Sequence, residues 1–500
     1  MSSSQVPKTV LPEPTTLDPK PAMTAQQAVS DSVTVVAGKV PVKLAQLQKS
    51  PLRFLPFVLI GLVVLGIVFF AIRALSGSSR TSIAPSSSPS TGNPPPAGGT
   101  SSPPVVTGGQ AVTLEYWGLW EPAEVMTQVL ADFEKQNPGV SVRYTKQSYR
   151  DYRQRLQTAI ASGNGPDLFR FHASWTPMLS AELARMPASV YSASEFQKTF
   201  YPVAATQLQV NGQLVGIPLM YDGLALFYSK QALATAAADP PTTWSDLRTL
   251  AAKLTIKSGN QIQRGGVALG NATNVDHFSD ILALLMLQNG ADLTDPNSAE
   301  GRDALLFYTN FQKADGVWNS TLPNSITAFA RGEAAMVFAP SWRAHDIKAI
   351  NPDLDFSIVP VPQLSDTRIA WASYWAEGVS QQSKQQEAAW KLLKHLSSKD
   401  VQQRLSADQA EVRAFGEIYS RTDLADQVAG NALVRPFLQD APFATGWYLS
   451  SMTHDAGMND QMIGYYEKAV TGLLGTESMN AVLTQLEQGT AQSLQQYSTK

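Results

Sequence analysis

From Val112 the chain alternates, with Val112, Leu114 and Tyr116 set against Thr113, Glu115 and Trp117. That two-residue period predicts a strand. Pro122 stands where a helix can begin, and Met126, Val129, Leu130 and Phe133 repeat at the spacing of one buried helical face. Asn137-Pro138-Gly139 ends that helix, and Val140, Val142 and Tyr144 alternate again. Ser148 with Asp151 has the spacing of a capping box. Tyr152, Leu156, Ala159 and Ile160 then form a helical face that Gly163 stops, before the apolar run Leu168, Phe169, Phe171. The order β-α-β-α-β predicts a parallel sheet, whose ligand edge is the carboxyl end of its strands. Those ends are Trp117-Gly118-Leu119-Trp120-Glu121 and His172-Ala173-Ser174-Trp175.

A second α/β unit follows. Strands are expected at Gly223–Tyr228, Gly266–Leu269, Ala334–Phe338 and Phe356–Val359. Thr243 with Asp246 should cap a helix over Trp244–Leu254, and Asn297 with Glu300 another running through Phe311. Phe278, Ile281, Leu282 and Leu285 predict a helix ended by Gly290. Ser383 is the expected cap of a helix that buries Ala389, Leu392, Leu393 and Leu396. The last hundred residues read as mainly helical, with loops around 441–448.

The first hundred residues differ. Residues 1–53 are polar, without an apolar period, and read as a disordered tail. Phe54–Ile72 is nineteen residues without a charge, apolar or Gly throughout except Pro56. A helix of that length rises about 28 Å, close to the thickness of a bilayer core. Ala74-Leu75-Ser76 offers a peptidase small residues, but the long leading segment and long apolar run favour an uncleaved anchor over 54–75. Lys39, Lys43, Lys49 and Arg53 precede the span, and only Arg73 and Arg80 follow it closely. The N-terminus is therefore expected in the cytoplasm and the rest outside. Residues 76–111 are a Ser/Pro/Gly-rich spacer, and together with the tail it carries most of the surplus that brings Pro to 32 against 33 Gly.

Composition then narrows the chemistry. A net charge of −3 argues against nucleic acid as a partner. The absence of cysteine excludes disulfides, thiolate metal sites, a cysteine nucleophile and lipid attachment through cysteine. No phosphate loop, dinucleotide fingerprint, H-E-x-x-H or G-x-S-x-G elbow occurs, and the five His are scattered without ligand spacing. No metal or cofactor is expected. A pair of carboxylates for glycoside hydrolysis leaves no sequence signature, so that reading stays open. What the chain offers is aromatic surface: Trp117, Trp120, Trp175, Trp342, Trp371, Trp375 and Trp447 fall at strand ends or in loops, whereas Trp244 and Trp390 lie on helices and read as core. Such rings can stack on the C–H faces of a pyranose, with Glu121, Ser174 and Asp222 nearby to orient hydroxyls.

The stretches VTLEYWGLWEP, ADFEKQNPGVSVRY, RLQTAIASGNGPDLFRF, LVGIPLMYDGLALFYSKQAL, PPTTWSDLRTLAAKLT, FARGEAAMVFAPSW, DFSIVPVPQ and GVSQQSKQQEAAWKLLKHLSSKDVQ occur in this order over most of 112–500. With them the chain resembles family 1 of the extracellular solute-binding proteins, the sugar-binding components of bacterial ABC importers. The resemblance implies a type II periplasmic-binding-protein-like α/β fold. Lobe I would be 112–221 plus 371–425 and lobe II 222–370 plus 426–500, hinged near Met220–Asp222, Ala370 and Asp426. Solute contacts would come from Trp117, Trp120 and Glu121; from Phe171, His172, Ser174 and Trp175; from Tyr221 and Asp222; from Trp342; and from Tyr374 and Trp375. Asp167 would shape its turn. The resemblance further implies a monomeric, non-enzymatic receptor that delivers a sugar or oligosaccharide to ABC permease subunits. Two departures stand out: the chain has no lipobox cysteine, and Ser174 and Trp175 stand where maltose binders carry charged side chains, so maltodextrin specificity does not carry over. The alternatives are a same-fold receptor for a peptide, polyamine or phosphodiester, a tethered glycosidase, and a sensory ectodomain.

Overall fold

The computed structural model describes residues 111–412 and 414–497. The expected tail, membrane span and spacer lie outside the described residues. None of the described helices is long and apolar enough to cross a membrane.

The chain opens with β1 (Val112–Gly118), α1 (Ala123–Gln136), β2 (Val140–Lys146), α2 (Tyr152–Ala161) and β3 (Leu168–His172). β1 runs parallel to both β2 and β3, as the alternation predicts, with Val112 opposite Val140 and Tyr116 opposite Leu168. α1 buries Val125, Met126, Val129, Leu130 and Phe133. Each such side chain contributes about 1.5–3 kcal/mol when fully removed from water. Ser148 does not cap α2. Asp151 occupies the cap position in the left-handed region, φ 53°, without a side-chain bond, because Ser148 Oγ instead accepts from Arg150 N.

The next elements are α3 (Pro202–Gln207), β4 (Ala225–Ser229), α4 (Trp244–Leu254), α5 (Phe278–Gln288), α6 (Ala299–Lys313), β5 (Met336–Ala339), α7 (Arg343–Ile350) and β6 (Phe356–Val359). β4 lies between β6 and β5, antiparallel to both, in a second sheet. Thr243 caps α4 by accepting from Asp246 N at 3.1 Å. The cap of α6 is Ser298 rather than Asn297, since Ser298 Oγ is the group that accepts from Gly301 N. Gly266–Leu269 is not a strand: it is buried, but the neighbouring Gly265 makes only an isolated bridge to Ala334, too little for a ladder. α5 buries every face rather than one stripe, consistent with its almost wholly apolar sequence.

The chain then returns to the first sheet. After β7 (Ala370–Trp371), β8 (Trp375–Val379) pairs antiparallel with β3, giving the order β8-β3-β1-β2. α8 (Gln386–Leu396) and α9 (Lys399–Ala410) pack on α1. Ser383 does not cap α8; its hydroxyl donates to Asp167 Oδ1 at 2.5 Å and accepts from Gln385 N. β9 (Ala444–Thr445) pairs in parallel with β7. α10 (Met458–Leu474) packs on α5, α6 and the final helix α11 (Met479–Tyr497). Trp371, expected among the loop aromatics, is fully buried, with its indole N–H donated to Asp280 Oδ1 at 2.7 Å.

Candidate functional site

β1 and β3 are parallel and β8 is antiparallel, so the ends of β1 and β3 and the start of β8 share one sheet edge. Trp375 stands directly opposite His172. Its ring centroid lies 5.1 Å from Trp175, 5.2 Å from His172 and 5.7 Å from Trp120, all edge-on. Trp120 continues to Tyr149 at 5.9 Å, and Tyr149 to His454 at 5.3 Å. These residues form an aromatic wall whose outer members, Trp120 and Tyr149, are 37% and 39% exposed. In each edge-on pair the edge of one ring meets the face of the other, so only one of the two rings has a face covered by that contact.

The turn behind the wall is held by hydrogen bonds. His172 Nδ1 lies 2.7 Å from Ser174 Oγ, and its Nε2 lies 3.2 Å from Ser373 Oγ. Ser174 Oγ also accepts from Asn459 Nδ2 at 2.8 Å. Burial pushes the His172 imidazole down to about 3, so it is neutral at physiological pH. Trp175 is the buried inner member of the wall and Phe171, Tyr221 and Tyr374 are buried as well, whereas Trp117 is half-buried on the opposite face of β1 from Tyr116. Asp167 accepts from Glu115 N at 2.9 Å and from Ser383 Oγ, which ties the start of β3 to β1 and to the segment before α8.

Asp222 is turned inward. Its Oδ1 accepts from Gly223 N (2.8 Å) and Ser341 N (3.0 Å), and its Oδ2 accepts from Ser341 Oγ (2.7 Å). Burial nonetheless pushes its carboxyl up to about 6. The contact fixes the turn that presents Trp342, which is 38% exposed. Trp342 is not part of the wall. It carries the Arg343 guanidinium 4.2 Å above its ring and His277 at 6.0 Å. The segment 450–459 touches both groups of residues: Ser451 Oγ lies 2.7 Å from His277 Nδ1, and Arg153 Nε donates to Asp455 O at 2.7 Å.

Two features escaped the sequence. One is a buried ion cluster beneath the wall. Arg170 Nε donates to Glu377 Oε1 at 2.7 Å, its Nη1 pairs with Glu121, and Glu417 lies 3.9 Å away. Tyr116 adds its hydroxyl to Glu377 Oε1 at 3.1 Å. Burial pushes the Glu377 carboxyl up to about 7 against the pull of Arg170. The visible signal was a charge inside each of two apolar strands, LFRFH and WAEGV. The other is a cavity of about 450 Å³ on the Ala173–Thr176 side of the same turn, lined by Ser174, Gln207, Asn211, Trp447 and Tyr448 among others, with no charged side chain in its lining. Trp447 and Tyr448 pack at 5.2 Å, and Gln207 Oε1 is buried without a hydrogen-bond partner. Two adjacent aromatics in a loop were the available sign.

Residues 128–429 match the family model described as bacterial extracellular solute-binding protein. A binding protein of Brucella abortus is 23% identical over 332 residues, covering 64% of this chain and 80% of that relative. The maltotriose-binding protein of Pyrococcus abyssi is 20% identical over 326 residues, covering 62% of this chain and 68% of its own length. The sugar-binding protein MalE from Xanthomonas citri superposes with a TM-score of 0.65 at 22% identity, over 77% of this chain and 98% of MalE. At that identity the likeness establishes the fold, a two-lobed α/β architecture.

Proposed function

This chain belongs to the bacterial extracellular solute-binding proteins, and from that premise we propose that it captures a sugar or oligosaccharide against the wall formed by Trp120 and Trp375 and delivers it to an ABC permease. Lobe I comprises 112–221 plus 371–425 and lobe II comprises 222–370 plus 426–500, with Asp222 at one crossover. The solute lies between Trp120 and Trp375 on one side and Trp342 on the other, with Glu121, Phe171, His172, Ser174, Trp175, Tyr221 and Tyr374 buried in support of that surface. Closure follows because a solute that touches both lobes favours the closed state by its differential affinity. A span over 54–75 and the spacer 76–111 hold the receptor outside the cell at high effective concentration near its permease.

The observation that carries this reading is the aromatic wall beside an uncharged polar cavity. Ring faces, hydroxyls and amides suit a neutral polyhydroxylated ligand. A polyamine or phosphodiester in that cavity would be buried without a counter-charge, which is costly. The sugar-binding description of two of the relatives supports the same ligand class.

Calorimetry on the full chain with mono- and oligosaccharides, a polyamine and a peptide tests the proposal. A saccharide should bind and the others should not. Binding of the polyamine alone would remove the sugar reading, and release of cleaved product from a labelled oligosaccharide would make the protein a glycosidase instead.

A further inference from the structure

The exposed Trp120 and the half-buried Trp375 reach the site by different routes. Trp375 begins β8 and is placed by the ladder to β3. Trp120 lies in the irregular segment between β1 and α1, outside any ladder. Gly118 matters there because a Cβ would run into the Tyr144 ring, whose hydroxyl donates to Glu121 O at 3.2 Å. The charged anchor of that segment is the Glu121 carboxylate, and it ends on Arg170.

Arg170 and Glu377 occupy directly paired positions on β3 and β8, one pair along from His172 and Trp375 on the same sheet face. One guanidinium therefore hydrogen-bonds the strand that carries Trp375 through Nε and ion-pairs through Nη1 with the loop that carries Trp120. A planar fork fixes the mutual angle of two carboxylates in a way an ammonium cannot.

Stability does not explain this arrangement. Arg170, Glu377 and Glu121 are 1%, 0% and 5% exposed, and Arg170 lies against Glu121, Glu377 and Glu417. Glu121 Oε2 and Glu377 Oε2 are buried without hydrogen-bond partners. An apolar substitute of similar volume is commonly as stable as such a cluster, and buried ions are better attested as devices for specifying geometry. We propose that Arg170 is a positioning residue that sets Trp120 against Trp375 and so shapes the ligand-binding wall. This deepens the sugar reading above and rests on it for its affinity arm.

The buried Glu377 carboxyl gives the cluster a pH signature. Glu377 faces Arg170, Glu121, Glu417 and the phenols of Tyr116, Tyr144 and Tyr152, and burial raises its carboxyl into the neutral range. Its charge, and with it the hold on Arg170, changes near pH 7.

The test is a double-mutant cycle on the full chain with Arg170→Lys and Trp120→Ala, read by saccharide affinity and by the near-ultraviolet circular dichroism of the coupled indoles. Arg170→Lys should cost about tenfold in affinity and weaken the indole signal, yet add nothing further when Trp120 is already Ala. Glu377→Gln should flatten the change in affinity between pH 6 and pH 8. If Arg170→Lys does not fold, Glu121→Gln cuts the same link at its more accessible end. Additive losses in the cycle, or an unchanged indole signal, would overturn the positioning role. The indole signal needs no ligand, so failure of every saccharide to bind would sink the functional reading while this arm still judges Arg170.

Discussion

Replacing Trp375 with Ala removes the hub of the wall. Its ring makes edge contacts with Trp120, His172 and Trp175 at 5.7, 5.2 and 5.1 Å. Such contacts contribute about 0.5–1.5 kcal/mol each beyond burial, so three give roughly 2–4 kcal/mol of stability. Trp375 is only half-buried, which places the expected loss toward the lower end. Binding should suffer disproportionately, because a ring that stacks on the ligand behaves as a hot spot worth about 2 kcal/mol or more, roughly thirtyfold in Kd. Trp375→Phe keeps a ring face and should recover part of the affinity. Calorimetry with the best-binding saccharide gives Kd, and chemical denaturation gives the stability change on the same samples. A folded Trp375→Ala protein with wild-type affinity would rule out the wall as the binding surface, since among the described residues Trp375 is the ring that packs against three other rings of the wall.

Three further outcomes are expected. Asp280→Ala orphans the buried indole N–H of Trp371 and the backbone N–H of Ser451, which Asp280 accepts at 2.7 and 3.1 Å; at about 1–3 kcal/mol per orphan, denaturation should report a loss of several kcal/mol. Asp222 is raised by burial from 3.8 to about 6, so the folded state holds a proton that the unfolded state has released, and its contribution to stability falls as pH rises from about 4 to about 6; Asp222→Asn should flatten that slope in thermal melts. Trp447→Ala should weaken saccharide binding by about tenfold with little change in melting temperature, whereas Gly446→Val should weaken binding and lower the melting temperature as well, because a side chain there meets the Gln207 amide and the Ala372 backbone carbonyl.

The first sheet was legible because its signals are local: alternation in β1 and β2, a helical stripe in α1, and the punctuation at Asn137-Pro138-Gly139. The cap at Thr243 was legible for the same reason. The caps at Ser148 and Ser383 failed because neighbouring groups compete for the same hydroxyl, which spacing does not reveal. Long-range pairing hid the rest. Arg170 and Glu377 are 207 residues apart, and only the register of β8 against β3 shows that they meet. Asp222 was expected to face solute, but its three donors come mainly from Ser341, 119 residues on. Trp371 looked like a loop aromatic until Asp280 supplied a buried acceptor for its N–H.

The central claim is that the Trp120–Trp375 wall holds a saccharide. A crystal structure of the protein soaked with the tightest-binding saccharide tests it most directly. The account predicts a pyranose ring in van der Waals contact with the face of Trp375 or Trp120, with its hydroxyls reaching the Ser174–Gln207 side of the turn. A saccharide bound elsewhere, with both indoles left bare, would contradict it.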